Sequence, residues 1–284
     1  MHYFKTCLIC NSNNLAVLKD YKKDHLCICN KCGFVFAIKN PTYQELMDEY
    51  AKYPRSNVIS EITIKRYDTL LKLFEKYRDN NNIIDVGAGD GHFIARARMY
   101  NWNSYATEFD DSAVQLCKQK DVIVHQGKLD IKNYEKEFFD VIFSSEVIEH
   151  INNPIEEIKN FHKILRKGGL VFITTPNLNS ISHKILKNKW SVFCYPEHLC
   201  YYNPKTLEKL FKDNGFKKIV IQTTGFSPSG FYQSLGYKQI NNNDEELRYK
   251  TENKLVFKLF KKGINTFLNV TKTGDAMKGM FIKL

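Results

Sequence analysis

The stretch Ile83-Ile84-Asp85-Val86-Gly87-Ala88-Gly89-Asp90-Gly91-His92-Phe93 decides how the rest of the chain is read. Residues 83–86 form a short apolar run with one carboxylate, the pattern of a buried strand. Three alternate glycines follow, and Phe93-Ile94-Ala95-Arg96-Ala97 opens a helical periodicity. Strand, glycine turn and helix make the start of a βαβ unit. A side chain at Gly87 or Gly89 would keep a ligand off the backbone, and the helix N-terminus offers free N–H groups to a polar partner.

Spacing narrows the ligand. The turn is G-x-G-x-G, whereas the dinucleotide fingerprint is G-x-G-x-x-G, and no Lys-Ser/Thr follows as in a phosphate-binding loop. Asp85, just ahead of the first glycine, would repel a pyrophosphate and suits a cationic or zwitterionic ligand. At 284 residues the chain holds one large domain and a small appendage. Its 43% hydrophobic and 26% charged content are those of an ordinary globular protein, without a run long enough to span a bilayer. The N-terminus does not read as a signal peptide, so the expected location is the cytoplasm. A net charge of +11 invites nucleic acid, yet the lysines are scattered without a compact block. An anionic small-molecule substrate explains the balance better, and nucleic acid is not the expected partner.

Residues 1–40 carry Cys7-x-x-Cys10 and Cys29-x-x-Cys32. The separation is that of a two-knuckle zinc ribbon, and four thiolates complete a tetrahedron with no open position, which makes the metal structural. In a cytoplasmic chain, disulfides are disfavoured. Asn40-Pro41 marks the linker to a domain over residues 41–284, with a helical insertion at about 232–272.

Beyond the linker, a helical stripe runs to Tyr53, which is placed to cap a binding site, and an amphipathic helix covers 62–77. After the glycine helix, residues 104–107 form a second strand ending at Glu108. That acid stands close to the offset of about 20 residues at which a carboxylate meets ribose hydroxyls. Strands at 122–124, 139–145, 170–175 and 218–221 alternate with helices, as in a parallel, doubly wound α/β sheet.

The succession Asp85-Val86-Gly87-Ala88-Gly89-Asp90-Gly91, Glu108, Phe139-Asp140-Val141-Ile142, Glu146-Val147-Ile148-Glu149-His150, Leu165-Arg166-Lys167-Gly168-Gly169 and Thr175-Pro176-Asn177 resembles the class I S-adenosylmethionine-dependent methyltransferases. The resemblance covers most of residues 60–284. It implies a Rossmann-like sheet of seven strands, the last antiparallel and supplied by residues 274–283. It also implies the cofactor S-adenosylmethionine, with Gly87 and Gly89 under its methionine part and Glu108 on its ribose. Phe109 and Leu129 would flank the adenine, Ser144 and Glu146 would lie near the donor end, and Arg66 would meet the cofactor carboxylate. Many relatives have an acid directly after the position of Gly127 for the adenine amine; here stands Lys128, so Asp130 or a backbone carbonyl would substitute. The cysteine segment is similar to that of sugar C-methyltransferases and of surface-polysaccharide methyltransferases.

Substrate residues in such a sheet lie outside the carboxyl ends of the strands. The aromatic segment Trp190-Ser191-Val192-Phe193-Cys194-Tyr195-Pro196-Glu197-His198-Leu199-Cys200-Tyr201-Tyr202 fits, with Trp190, Tyr195 and Tyr201 as candidate substrate contacts. His198 is the candidate general base for a hydroxyl; the alternative is a histidine that hydrogen-bonds its own loop. His150 buttresses the turn after the fourth strand. The expected activity is O-methylation of a small, phosphate-bearing acceptor such as a nucleotide-linked sugar. A sugar C-methyltransferase, and an RNA methyltransferase docking through the ribbon, are the alternatives. Against RNA stands Thr175-Pro176-Asn177, which is not the Asn-Pro-Pro-Tyr type of a base-methylating site. Oligomeric state is not legible in the sequence.

Overall fold

The computed structural model describes residues 2–50, 52, 55, 56, 58–226, 234, 235 and 255–284. Strand β6 (Asn82–Val86) is the centre, and every one of its residues is buried. It pairs in parallel with β7 (Asn103–Glu108) on one side and with β9 (Phe139–Ser145) on the other. Beyond β7 lies β8 (Ile123–Gln126), and beyond β9 lies β10 (Leu165–Pro176). The final strand β13 (Ala276–Lys283) runs antiparallel between β10 and β12 (Phe216–Thr224). The order β12-β13-β10-β9-β6-β7-β8 is the expected seven-stranded sheet with its late antiparallel strand.

Helices cover both faces, as a buried parallel sheet requires. On one face, α2 (Glu61–Phe74) and α3 (His92–Met99) bring Leu71, Phe74, Phe93 and Ile94 onto Ile83, Val141 and Phe172. On the other, α5 (Pro154–Ile164) and α7 (Pro204–Lys212) bury Ile158, Phe161, Leu207 and Phe211. Local chemistry sets the helix starts: the Ser60 side chain caps α2, Asp110 caps α4 (Asp111–Gln119), and Asn203 with Thr206 forms a capping box ahead of Pro204. A later helix, α8 (Leu255–Thr271), holds β12 through Thr223, whose hydroxyl donates to Leu268 O at 2.7 Å. The rest of the expected 232–272 insertion, apart from residues 234 and 235, lies outside the described residues.

One boundary differs from the sequence reading. The strand expected at 170–175 starts earlier: α5 ends at Ile164 and β10 begins at Leu165, opposite Phe139, with a register shift before Leu170. The cause is Asp140, fully buried, whose carboxylate accepts from Arg166 Nε at 2.7 Å and from the backbone N–H groups of Asp79, Asn80 and Asn81. That carboxylate draws the segment after α5 into the sheet.

In the N-terminal segment, β2 (Leu15–Val17), β3 (Leu26–Cys29) and β4 (Val35–Ala37) form an antiparallel ribbon. Its fourth strand is β11 (Cys200–Tyr201), contributed from the far end of the chain. The ribbon residues Cys7, Leu26, Phe34 and Phe36 share one continuous core with Phe161, Leu199, Tyr202 and Phe211. Residue 40 therefore marks a change in sequence pattern and not a break in packing.

Candidate active site

Strand ends β6, β7 and β9 open together onto a cleft of about 240 Å³. Gly87 takes φ +75°, and a Cβ there would stand 2.5 Å from Val147 Cγ2, so only glycine lets the turn pass beneath the β9 loop. Gly89 also has positive φ, yet a Cβ there would meet nothing within 4 Å: its open side faces the cleft. The two glycines thus serve different purposes, one for packing and one for ligand approach.

Glu108 ends β7 at the cleft wall. Its Oε1 accepts from Phe109 N at 2.7 Å and Asp110 N at 3.0 Å, and Oε2 accepts from Gly89 N at 2.7 Å. With three of about four lone-pair sites taken, Oε2 is the oxygen with room for a further donor. Phe109, Leu129, Val147 and Ile151 supply apolar walls. Asp85 lies beneath the turn, 2% exposed; burial first, and Glu108 second, push its carboxyl well above the usual range. It does not line the cleft.

A second cavity of about 410 Å³ adjoins the first and shares Arg55, Gly89, Glu146 and His150 with it. Glu149, Glu197, His198 and Asp90 complete its wall. Glu146 adopts φ +56°, an unusual backbone for a non-glycine residue. Its N–H donates to Thr174 O, and its Oε1 accepts from Thr174 Oγ1 at 2.6 Å. Glu149 is 2% exposed; its Oε2 accepts from Thr175 Oγ1, while Oε1 has no hydrogen-bond partner among the described residues. Burial, then Glu146, hold that carboxyl well above its ordinary range.

The two histidines stand with ring centroids 4.8 Å apart. His150 Nδ1 is 2.8 Å from Glu197 O, and burial with His198 pushes its pKa down to about 4. His198 Nδ1 is 2.8 Å from Val192 O, and its Nε2 is 3.7 Å from Glu197 Oε1. Burial lowers its pKa and Glu197 opposes the shift. A neutral imidazole whose Nδ1 donates to a carbonyl leaves Nε2 as a base. Donor atoms of Glu149, His150 and His198 also lie within 4.8 Å of one another, a spacing a metal ion could bridge.

Several expected residues stand elsewhere. Arg66 is exposed on α2 and does not line the cleft; the arginine that does is Arg55, 3.5 Å from Asp90 and 3.2 Å from Asp110. Ser144 is 1% exposed inside β9, because its side chain points into the sheet's packing, and Glu146 and Val147 reach the cleft instead. Trp190 and Tyr201 are buried: Trp190 packs on Phe193, and the Tyr201 hydroxyl donates to His198 O. Tyr195 turns toward the ribbon, against His25 and Lys39. The loop's aromatic character thus reflects packing, with no lining role in either cavity. Tyr53 lies outside the described residues. Glu157, which lines the cleft from α5, was missed; its only sequence signal is a place on the first turn of a helix that reaches the cleft.

At the ribbon, Cys7 Sγ and Cys32 Sγ are 3.6 Å apart, as are Cys10 Sγ and Cys29 Sγ, and all four sulfurs lie within 4.8 Å of each other. A tetrahedral thiolate site with metal–sulfur bonds of about 2.3 Å needs sulfurs roughly 3.8 Å apart. The cage fits.

A methyltransferase domain model matches residues 55–221. The chain belongs to this methyltransferase family. The methyltransferase is 29% identical over 133 residues to the ubiquinone biosynthesis O-methyltransferase of Pelagibacter ubique, a match spanning 44% of this chain and 52% of that protein. An uncharacterized Methanocaldococcus jannaschii protein is 20% identical over 65% of this chain and 85% of its own. Among solved structures, a SAM-dependent methyltransferase from Archaeoglobus fulgidus superposes with TM-score 0.54 at 18% identity, covering 85% of this chain and all of that one. A putative sarcosine dimethylglycine methyltransferase from Galdieria sulphuraria gives 0.52 at 14% identity over 78% and 85%. The methyltransferase therefore shares their fold, and its cleft lies where that fold gathers its strand ends.

Proposed function

We propose that this methyltransferase moves a methyl group from S-adenosylmethionine to a hydroxyl of a small acceptor, with His198 as general base. The observation that carries the reading is the pair of adjoining cavities, one built around Glu108 and the other around His198, with Gly89, Glu146 and His150 common to both. Glu108 would hold the ribose through Oε2, Phe109 and Leu129 would sandwich the adenine, and Arg55 would meet the cofactor carboxylate. Glu157, beside Lys128, takes the place of the acid absent after Gly127 and would accept from the adenine amine. The cofactor supplies a methyl already activated on a sulfonium. His198 Nε2 would remove the hydroxyl proton, while Val192 O and Glu197 keep the ring oriented and offset the charge it gains. The bacterial relatives, ubiquinone biosynthesis O-methyltransferases, support O-methylation over C-methylation.

A glycan precursor remains the proposed acceptor class on the strength of the sequence resemblance. Its phosphate is not placed beside the reacting atom. Asp90, Glu146, Glu149 and Glu197 face the acceptor cavity, and the one lysine or arginine among its described lining residues, Arg55, stands beside Asp90 and Asp110 and is assigned to the cofactor carboxylate. A neutral hydroxyl suits such a wall. At the ribbon, Cys7, Cys10, Cys29 and Cys32 are assigned to a structural zinc.

Calorimetric titration with S-adenosylhomocysteine tests the cofactor half. Micromolar binding that weakens about 30-fold or more in Glu108→Ala supports it, on the scale of a lost hydrogen bond to a charged group. No binding by folded protein rejects it. For the base, His198→Ala should keep that affinity and lose turnover; unchanged turnover rejects the assignment. A second reading rests on the close donors of Glu149, His150 and His198. A divalent cation held there would acidify the hydroxyl in place of a base. Turnover that disappears on chelation and returns with magnesium or manganese selects it.

A further inference from the structure

The segment that carries His198 is also an edge of the cysteine ribbon. β11 begins two residues after His198 and pairs with β4, Cys200 opposite Phe36 and Tyr201 opposite Val35. Leu199, the next residue after His198, is held from both sides: its carbonyl accepts from Ala37 N of the ribbon, and its N–H donates to Glu149 O of the acceptor cavity, each at 2.8 Å. Upstream, Tyr21 packs edge-on against Phe193 at 5.1 Å and His25 against Tyr195 at 4.8 Å, while Asn188 Nδ2 donates to Asp20 O. Downstream, Phe34 packs on Tyr202 at 5.0 Å.

These contacts lead directly to the thiolates. Cys29 ends β3, its N–H donates to Phe34 O, and Gly33 N donates to Cys29 O. Between Cys32 and the start of β4 stand only Gly33 and Phe34. The second knuckle therefore sets where β4 starts, β4 sets the register of β11, and β11 fixes the backbone beside His198. No residue of 2–40 stands in the wall of the cofactor cleft, and β11 touches that wall at one edge, where Cys200 Sγ donates to Ile151 O.

We propose that the cysteine ribbon is a clamp for the acceptor half of the active site: metal held by Cys7, Cys10, Cys29 and Cys32 positions Glu197 and His198, and leaves the cofactor half independent of it. Loss of the metal would free the 190–202 segment and shift the two acceptor-side groups without opening the cleft between Gly87 and Glu108. Occupancy of the ribbon thereby gates methyl transfer while cofactor binding persists. The ribbon's four cysteines act here as positioning residues.

The inference rests on the proposed thiolate zinc and on His198 as an acceptor-side group, and its test separates these. Metal content of the purified chain reports the zinc, and S-adenosylhomocysteine titration reports the cofactor half. Hydrogen exchange read by mass spectrometry then compares the full chain with and without chelator. The expected result is a tenfold or greater rise in exchange over residues 190–202 together with 26–37, unchanged exchange over 83–109, and a cofactor-product affinity within twofold. Cys32→Ser should reproduce this pattern. Tyr21→Ala, which leaves every thiolate in place and removes the ring that packs on Phe193, should raise exchange over 190–202 and keep the metal. Protection over 190–202 that survives metal loss overturns the proposal. Exchange that rises equally over 83–109, with loss of product binding, overturns it too, since the ribbon would then support the whole fold and not one half of the site.

Discussion

Glu157 shows what one residue can be asked to do. Burial, then Glu156, push its pKa up to about 7, with Lys128 opposing. If its carboxylate accepts from the adenine amine, the ionised form is the binding form. Affinity for S-adenosylhomocysteine should then strengthen from pH 6 to pH 8, and Glu157→Gln should flatten that dependence while weakening binding at pH 8. Affinity that does not change with pH in the unaltered protein would place the adenine elsewhere. The sign for stability runs the other way. A carboxyl raised in the folded state binds its proton more tightly there than in the unfolded chain, so it supports folding below the ordinary carboxylate range, and that support is lost as pH rises toward 7. Gly87 gives a second test. Alanine there would combine a left-handed backbone, costing about 1–2 kcal/mol, with a contact 2.5 Å from Val147 Cγ2. Gly87→Ala should therefore lower both Tm and product affinity, whereas Gly89→Ala, which carries the backbone cost without the clash, should lower Tm less while still weakening affinity.

Among the elements, β9 and β10 depend on a buried ion pair far from the chemistry. Asp140 ties the bend leading into β6 to Arg166 at the start of β10. Removing its carboxylate would leave three N–H groups and a guanidinium short of an acceptor. A loss of about 3–5 kcal/mol is expected for Asp140→Ala, read as a drop of roughly 6 °C or more in Tm, with product affinity retained in the cold. Through Arg166 the same carboxylate holds the start of β10 ahead of Gly168-Gly169. Sequence periodicity located β9 by its apolar run, but periodicity does not reveal which acid of such a run will be fully buried.

For the molecule as a whole, the ribbon and the sheet share a core, so the N-terminal segment is not a detachable module. A chain beginning at residue 41 would expose Leu199, Tyr201 and Tyr202, all buried against ribbon residues. It should bind a hydrophobic dye and lose cooperative unfolding, and the full chain should unfold in one transition. Two separate transitions in the full chain would contradict the shared core. Among the described residues no helix is long and apolar enough to cross a membrane.

Local pattern alone is enough to find the sheet, the glycine turn, the acid at Glu108 and the two C-x-x-C knuckles. Each is a matter of local spacing: apolar runs of strand length, glycines at a tight turn, an acid at a set offset, thiols in pairs. It also picked out His198 and His150, which the fold brings within one cavity. Which residues face the ligand space follows from packing in three dimensions. Arg66 and Arg55 look alike in sequence, yet one lies on the outer side of α2 and the other in the cleft wall. Trp190 and Tyr201 look like substrate contacts until the ribbon packs over their segment, and Glu157 looks like an ordinary first-turn acid until α5 packs against β10 and the 131–133 turn. Contact across distant segments depends on packing that no local pattern encodes, and the pairing of β11 with β4, which joins residue 200 to residue 36, is its largest consequence here.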